Sequence, residues 1–356
     1  MLHSIKVILI SLLVIALPTF AQAWGGRGHD AICETAAFLV KDKTLKEFLK
    51  SRAHTLGHLC NIPDTYWRSL KGDENKIGAP THFIDPEVIG LKVNEIPLDY
   101  EKLITDYTGK DNKFKIGQKI NSVSDELGSS WWRVDHFMRL ISGLNFKDAP
   151  PPEGKKEFQD EALPFNAKAY EMFVNMGLMG HFVGDASMPF HNSADYDGYA
   201  TGHGGIHSYY ESDVVSEFGP DLTNEIYKKA LSLKSPSFLK PKTSLEKMRE
   251  LSTVSFKEME KIIKLDPILK KSALVKDKSM GSKSEAERKS ADVGYKIFRP
   301  MIIEQMARSS TLLANLWDEA YVASGKPDLS KYRSFKYPFT PDFVRPDYIE
   351  KVEAKK

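Results

Sequence analysis

The sequence predicts an all-α protein built as a single multi-helix domain. Three observations carry that expectation. Across residues 166–187, Val174, Gly177, Leu178, His181 and Asp185 fall on one face of a helix, and Pro189 stops the run. Residues 291–323 form a second, longer apolar run of helical character with Pro300 inside it. No segment shows the strict apolar–polar alternation of a half-buried strand.

The chain has 356 residues, 41% hydrophobic and 28% charged, a composition that supports a large core. Its formal net charge of +2 is too small to argue for nucleic acid, a membrane surface or an acidic partner, so any such claim must come from a site. Met1 to Lys6 is positively charged, Val7 to Phe20 is apolar, and Ala21-Gln22-Ala23 is a small-residue cleavage signal. We read 1–23 as a signal peptide and expect an exported protein, periplasmic or secreted, whose mature chain starts at Trp24. No later run reaches the roughly 20 apolar residues of a spanning helix, so no transmembrane span is expected in that mature chain. Cys33 and Cys60 could pair in an oxidising compartment or remain two buried thiols; neither is placed like a nucleophile.

In chain order, Gly25, Gly26 and Gly28 lead into an apolar helix that begins near His29 and continues through Leu39. A second helix is expected over 44–56. Pro63 suits a first helical position, so 61–68 reads as a turn into a short helix. Residues 78–86 are bounded by breakers and read as a loop, 86–118 carry mixed signals, and 121–144 are helical by pattern. A Pro-rich connector at 148–154 precedes the helix at 166–187. A Gly- and Tyr-rich loop at 195–205 leads into a helix at 206–215. Residues 227–290 form a Lys-rich insert of helical stretches, its lysines read as a solvated face. The main domain is expected over 24–325, and the Pro-, Tyr- and Lys-rich tail at 326–356 either wraps it or is partly disordered.

Chemistry concentrates in 181–211. His181 with Asp185, and His207 with Glu211, are i,i+4 pairs that a helix places on one face. Imidazole nitrogen and carboxylate oxygen are the donors of zinc sites. Nine residues could serve: Trp24 through its main chain, His29, Asp64, His82, His181, Asp185, His191, His207 and Glu211. That number exceeds the needs of one ion and suits a cluster of two or three. His54, His58 and His136 lack the spacing and read as ordinary surface or core residues. His203 stands in the loop as a supporting or substrate group.

The motif His181-x-x-x-Asp185-x-x-x-Pro189-x-His191, with Trp24, Asp64 and His82-Phe83-Ile84-Asp85, resembles the zinc-dependent phospholipases C and the single-strand-specific zinc nucleases. The resemblance covers most of 24–211 and, more loosely, 313–317. It implies a trinuclear zinc cluster. Asp64, His82, His181 and Asp185 would hold one Zn(2+) ion, with Asp185 bridging to a second held by the Trp24 amine and carbonyl and by His29. His191, His207 and Glu211 would hold the third. A terminal amine becomes a ligand only after the signal peptide is removed, so metal loading would be coupled to export. The implied activity is phosphoric diester hydrolysis, with Asp64 as the catalytic group that orients or deprotonates water. No protein nucleophile and no protein partner are required.

Two substrate classes share the resemblance. Glu211 as the last ligand, and Asp85-Pro86, look like the phospholipases C, which is the reading we place first. The Trp24 to His29 start and His82-Phe83-Ile84-Asp85 look like the nucleases, where Phe83 would stack on a base and Asp85 would hydrogen-bond it. Tyr66, Tyr196, Tyr199, Tyr209 and Tyr210 would alternatively form an aromatic wall for a quaternary ammonium head group. A third reading is a secreted zinc-binding module without catalysis.

Overall fold

Capping side chains, prolines and glycines divide the chain into fourteen α-helices among the described residues. The computed structural model describes residues 24–274, 284–334 and 336–349. The expected signal peptide at 1–23 and the end of the tail lie outside them.

Helix α1 (Gly25–Leu39) starts directly after Trp24 and buries Ile32, Cys33, Ala36 and Ala37. The single helix expected over 44–56 is instead two, α2 (Lys43–Lys50) and α3 (Ala53–Asn61). The Asp42 side chain caps α2 by accepting from the Thr44 and Leu45 amides at 3.0 and 3.2 Å. At its other end the Ser51 hydroxyl and the Arg52 guanidinium both donate to the Phe48 carbonyl, at 2.9 and 3.0 Å. These side chains occupy an acceptor that a continuing helix would have used. Cys33 and Cys60 are disulfide-bonded, which ties α1 to the end of α3.

A π-helical turn (Pro63–Trp67) follows, then α4 (Asp73–Gly78) and a 3-10 turn (Ala79–His82). Helix α4 buries no residue, which is why no apolar period announces it. Helix α5 (Tyr100–Tyr107) lies in the stretch of mixed signals and is capped by Asp99. The helix expected over 121–144 divides into α6 (Val123–Leu127) and α7 (Ser130–Ser142). Gly128 between them has φ +85°, and a Cβ there would lie 2.1 Å from the Phe83 carbonyl oxygen, so only glycine fits.

Helix α8 (Pro164–Ser187) is the centre of the molecule: every residue from Asn175 to Ser187 is buried. It packs against α1, α3 and α7. After a 3-10 turn (Pro189–Asn192), α9 (Ile206–Ser208) runs through a π-helical turn (Tyr209–Asp213) into α10 (Val214–Ser216). Helices α11 (Leu222–Ser232), α12 (Ser244–Phe256) and α13 (Met259–Leu265) follow. A short antiparallel pair, β1 (Ile268–Lys270) with β2 (Glu287–Arg288), corrects the expectation of no strands. Helix α14 (Ala291–Ala323) closes the body against α1, α8 and α11, with Pro300 inside it.

The Lys-rich segment is built into this body. Ile226, Met248, Leu251 and Ile262 are fully buried, and the Trp131 indole donates to the Ser252 hydroxyl at 2.8 Å. Lys247 corrects the reading of a solvated lysine face: it is 2% exposed and bonds Asn315 at 3.0 Å and also Glu319. The described part of the tail wraps the domain. There the Trp67 indole donates to the Pro341 carbonyl at 2.9 Å, and Tyr348 meets Ser129 at 3.0 Å. No helix among the described residues is long and apolar enough to cross a membrane.

Candidate metal centre

The last two turns of α8 carry His181 and Asp185 on one buried face, and the rest of the centre is brought to them. From α1 comes His29, whose ring stacks on His181 with centroids 4.2 Å apart and whose Nε2 lies 3.4 Å from Asp185 Oδ1. Gly184 allows this approach, because a Cβ there would meet the His29 ring at 2.9 Å. The two π-helical turns supply Asp64 and Glu211, and such turns recur at functional sites. His82 ends the 3-10 turn after α4. Its Nδ1 lies 3.0 Å from Asp185 Oδ2, 3.6 Å from Asp64 Oδ1 and 2.9 Å from His181 Nε2.

Beyond α8, the 3-10 turn after Met188 presents His191, and α9 presents His207. His207 Nε2 lies 2.9 Å from Glu211 Oε2 and 3.1 Å from His191 Nε2. Trp24 is fully buried; its indole donates to the Gly184 carbonyl at 2.9 Å and to Ser187 at 3.1 Å. Its main-chain nitrogen lies 3.3 Å from Glu211 Oε2, and its carbonyl accepts from the Gly28 amide at 2.9 Å. All nine expected donor residues therefore converge. The side chains of eight of them, all but Trp24, form three buried groups able to hold metal ions: His29, His181 and Asp185; Asp64, His82 and His181; His191, His207 and Glu211. Within each group one donor atom from every residue lies within 4.8 Å of the others.

Two backbone carbonyls decide what these groups can bind. His181 Nδ1 is 2.7 Å from the Cys60 carbonyl, and His191 Nδ1 is 2.8 Å from the His82 carbonyl. A carbonyl oxygen only accepts, so each Nδ1 carries its proton and each neutral ring offers the Nε2 lone pair inward. Those lone pairs meet another imidazole nitrogen and carboxylate oxygens, the donor set of a zinc-type cation. Burial drives the same way. Desolvation holds His82 and His181 well below the ordinary histidine range and lowers His191 as well. These rings are therefore neutral at pH 7, the form in which an imidazole can bind a metal.

The carboxylates show the converse cost. Desolvation, then the charges of Asp64 and Glu211, pushes Asp185 well above its usual range, and desolvation pushes Glu211 up to about 7. The Asp185 Oδ1 and Glu211 Oε1 atoms make no hydrogen bond. Asp64 is paired with Arg68, whereas Asp185 and Glu211 face imidazoles, and a bound cation would offset the cost of burying those two. Sequence reasoning missed Arg68, whose Nε donates to Asp64 Oδ1 at 2.8 Å; the i,i+4 spacing from Asp64 was the available signal.

The substrate residues expected from sequence are more dispersed. Phe83 is half-buried beside His82, Tyr66 is half-buried on the turn of Asp64, and Asp85 is 1% exposed. The aromatic wall is corrected at two positions. Tyr210 is fully buried and donates to Gln305 at 2.9 Å, and Tyr209 turns its hydroxyl to the Lys289 and Ser290 carbonyls, at 3.1 Å each. Both hydroxyls are held inside the fold and cannot line a ligand surface. Tyr196 remains half-buried, its ring 5.4 Å from His207. Against known proteins, no family model and no curated protein matches the chain.

Proposed function

We propose that the chain is an exported phosphoric diester hydrolase that binds three Zn(2+) ions in these groups. The observation that supports this most is the inward set of Nε2 lone pairs on His181 and His191, fixed by backbone carbonyls and facing carboxylates. The zinc-dependent phospholipases C and single-strand-specific zinc nucleases, which the motifs resemble, are the family we propose for it. Bound zinc would polarise phosphoryl oxygens and lower the pKa of water toward about 7.

The protein's own part is division of labour among carboxylates. Asp185 lies between His29, His82 and His181 and would serve two ions. Glu211 lies with His191 and His207 and would serve one. To Asp64 we give the role that the resemblance implies, orienting an attacking water or taking its proton. Arg68 holds its Oδ1 oriented. A closed structural site has four protein ligands per ion, whereas nine donor residues shared among three ions leave positions open, which favours catalysis over a binding module.

Phospholipid head-group esters are the first substrate class, on the Glu211-ended motif. Single-stranded nucleic acid is the second, favoured by Phe83 standing half-exposed next to His82. The test is hydrolysis of a generic phosphodiester by the mature chain before and after chelation, followed by phosphatidylcholine and single-stranded DNA side by side. Activity that survives full chelation would sink the zinc reading. A form with one residue ahead of Trp24 should lose one zinc and most of its rate, because its nitrogen would then be an amide. Equal metal content and rate in both forms would remove Trp24 from the ligand set.

A further inference from the structure

The hairpin β1–β2 ends on a buried polar knot that grips the loop leading to His207. The Asp266 side chain is fully buried. Its Oδ1 accepts from Arg288 Nε at 2.9 Å, and its Oδ2 accepts from Arg288 Nη2 at 3.1 Å and from His203 Nδ1 at 2.8 Å. Arg288 continues onward: Nη1 donates to the Gly204 carbonyl at 2.9 Å and Nη2 to the His203 carbonyl. The hairpin main chain adds Ser272 N to Gly202 O at 3.0 Å and Ala286 N to Gly204 O at 2.9 Å, and the Ser272 hydroxyl accepts from the Gly204 amide at 3.0 Å. The same guanidinium lies 5.4 Å from the centre of the Tyr209 ring, two residues beyond His207 and two before Glu211.

Stability is a poor explanation for this knot. A buried ion pair roughly breaks even against well-packed apolar side chains once desolvation is counted. What a bidentate guanidinium fork supplies is orientation, because two parallel bonds fix an angle that a single contact leaves open. Here the fork holds the carbonyls of 203 and 204 on one side of His207 and the ring of Tyr209 on the other. We propose that Asp266 and Arg288 are positioning residues for the His191–His207–Glu211 group, acting through the 202–205 backbone and Tyr209 to set the His207 ring. The inference rests on the proposed function, since it concerns how that group holds its ion.

The test is calorimetric titration of zinc into the metal-free mature chain, with Glu211→Gln marking which binding event belongs to this group. Arg288→Lys keeps the charge and loses the fork; Asp266→Asn keeps the shape and loses the charge. Glu287→Gln, which alters only an exposed pair with Lys270, is the control. Both clasp variants should weaken the marked event by roughly tenfold or more and leave the other events alone, the scale seen when outer partners of metal ligands are removed. The control should change none. Cobalt(II) absorption of the marked site should shift in Arg288→Lys, a signature that simple destabilisation would not produce. Should Asp266→Asn fail to fold, Arg288→Lys carries the test alone. A marked event unchanged in Arg288→Lys, or all events weakened equally, overturns the clasp while the functional reading stands. A reference protein that binds no zinc at all overturns the functional reading and the clasp's role with it.

Discussion

Two buried polar clusters meet at the ring of Phe182, one rich in carboxylates and the other holding a guanidinium. The first has His82 and His181, with ring centroids 5.3 and 5.1 Å from that of Phe182, together with the carboxylates of the candidate metal centre. The second cluster is the guanidinium of Arg133, 5.3 Å from the same ring and completely buried. Trp67, Phe137 and Phe343 complete a box around it at 5.5, 4.8 and 5.6 Å. None of the three guanidinium nitrogens makes a hydrogen bond. The first cluster has three carboxylates, of which Asp64 is paired with the Arg68 guanidinium at 2.8 Å; the second has a guanidinium that meets no hydrogen-bond acceptor. Aromatic faces partly answer that lack, since a ring quadrupole attracts a cation without needing a hydrogen bond. Burial alone is therefore no mark of function; the kinds of polar atom gathered separate a candidate metal centre from a caged side chain.

The largest expected effect tests the first cluster. Asp185→Asn should displace two ions and lower phosphodiester hydrolysis on the order of a thousandfold, the scale for losing a group that stabilises transition-state charge. Glu211→Gln should displace one. Metal analysis showing the same single loss in both would show that Asp185 is not shared.

A smaller effect tests the second cluster through pH. His136, one turn along α7 from Arg133, has its pKa pushed down to about 4, by burial first and by the Arg133 charge second. Its Nε2 is 4.0 Å from Asp347, an attraction that opposes the shift and loses to desolvation. Because the folded value lies below the unfolded 6.5, the unfolded chain takes up a proton that the native chain refuses. Stability from this group is intact above about pH 6.5 and is lost as pH falls toward 4, by on the order of 3 kcal/mol. Urea midpoints at pH 7 and pH 4.5 should therefore converge in His136→Gln, and an unchanged gap between them would clear this residue of acid lability.

The smallest effect sharpens the contrast itself. Burial lowers the Arg133 pKa to about 10, so the group stays charged at neutral pH without an acceptor. Arg133→Met should leave metal content unchanged and stabilise the fold by about 1 kcal/mol, if desolvation outweighs the ring contacts. A loss of more than about 2 kcal/mol on thermal unfolding would show that the aromatic box is the stronger term.

The contrast also separates what the residues announced from what they concealed. Helix α14 runs over the expected residues because its apolar period is long, and α8 differs only at its first turn, where Pro164 starts it. The candidate donors were readable because two i,i+4 pairs and an ordered set of His and Asp stand out at short range. Arg133 was not readable, since its box is assembled from residues 67, 137, 182 and 343, three of which lie far from it in the chain. The break between α2 and α3 depends on Ser51 and Arg52 reaching back to one carbonyl, an outcome that periodicity does not encode. Strands β1 and β2 have three and two residues, too few for alternation to register. Tyr209 and Tyr210 looked like ligand-facing aromatics because a sequence shows which rings are near a motif and not which way their hydroxyls turn.

One residue links covalent closure to the candidate donor set. Cys60 is joined through its sulfur to α1 and through its carbonyl to His181 Nδ1. The oxidised bond therefore holds in place the acceptor that selects the histidine's tautomer. A chain kept in reductant should retain its helices yet present His181 with a freer ring, and so, on the function proposed above, capture zinc more slowly than the oxidised chain. Oxidative folding would then come before metallation in the order of assembly, with Cys60 as the point where the first step prepares the second.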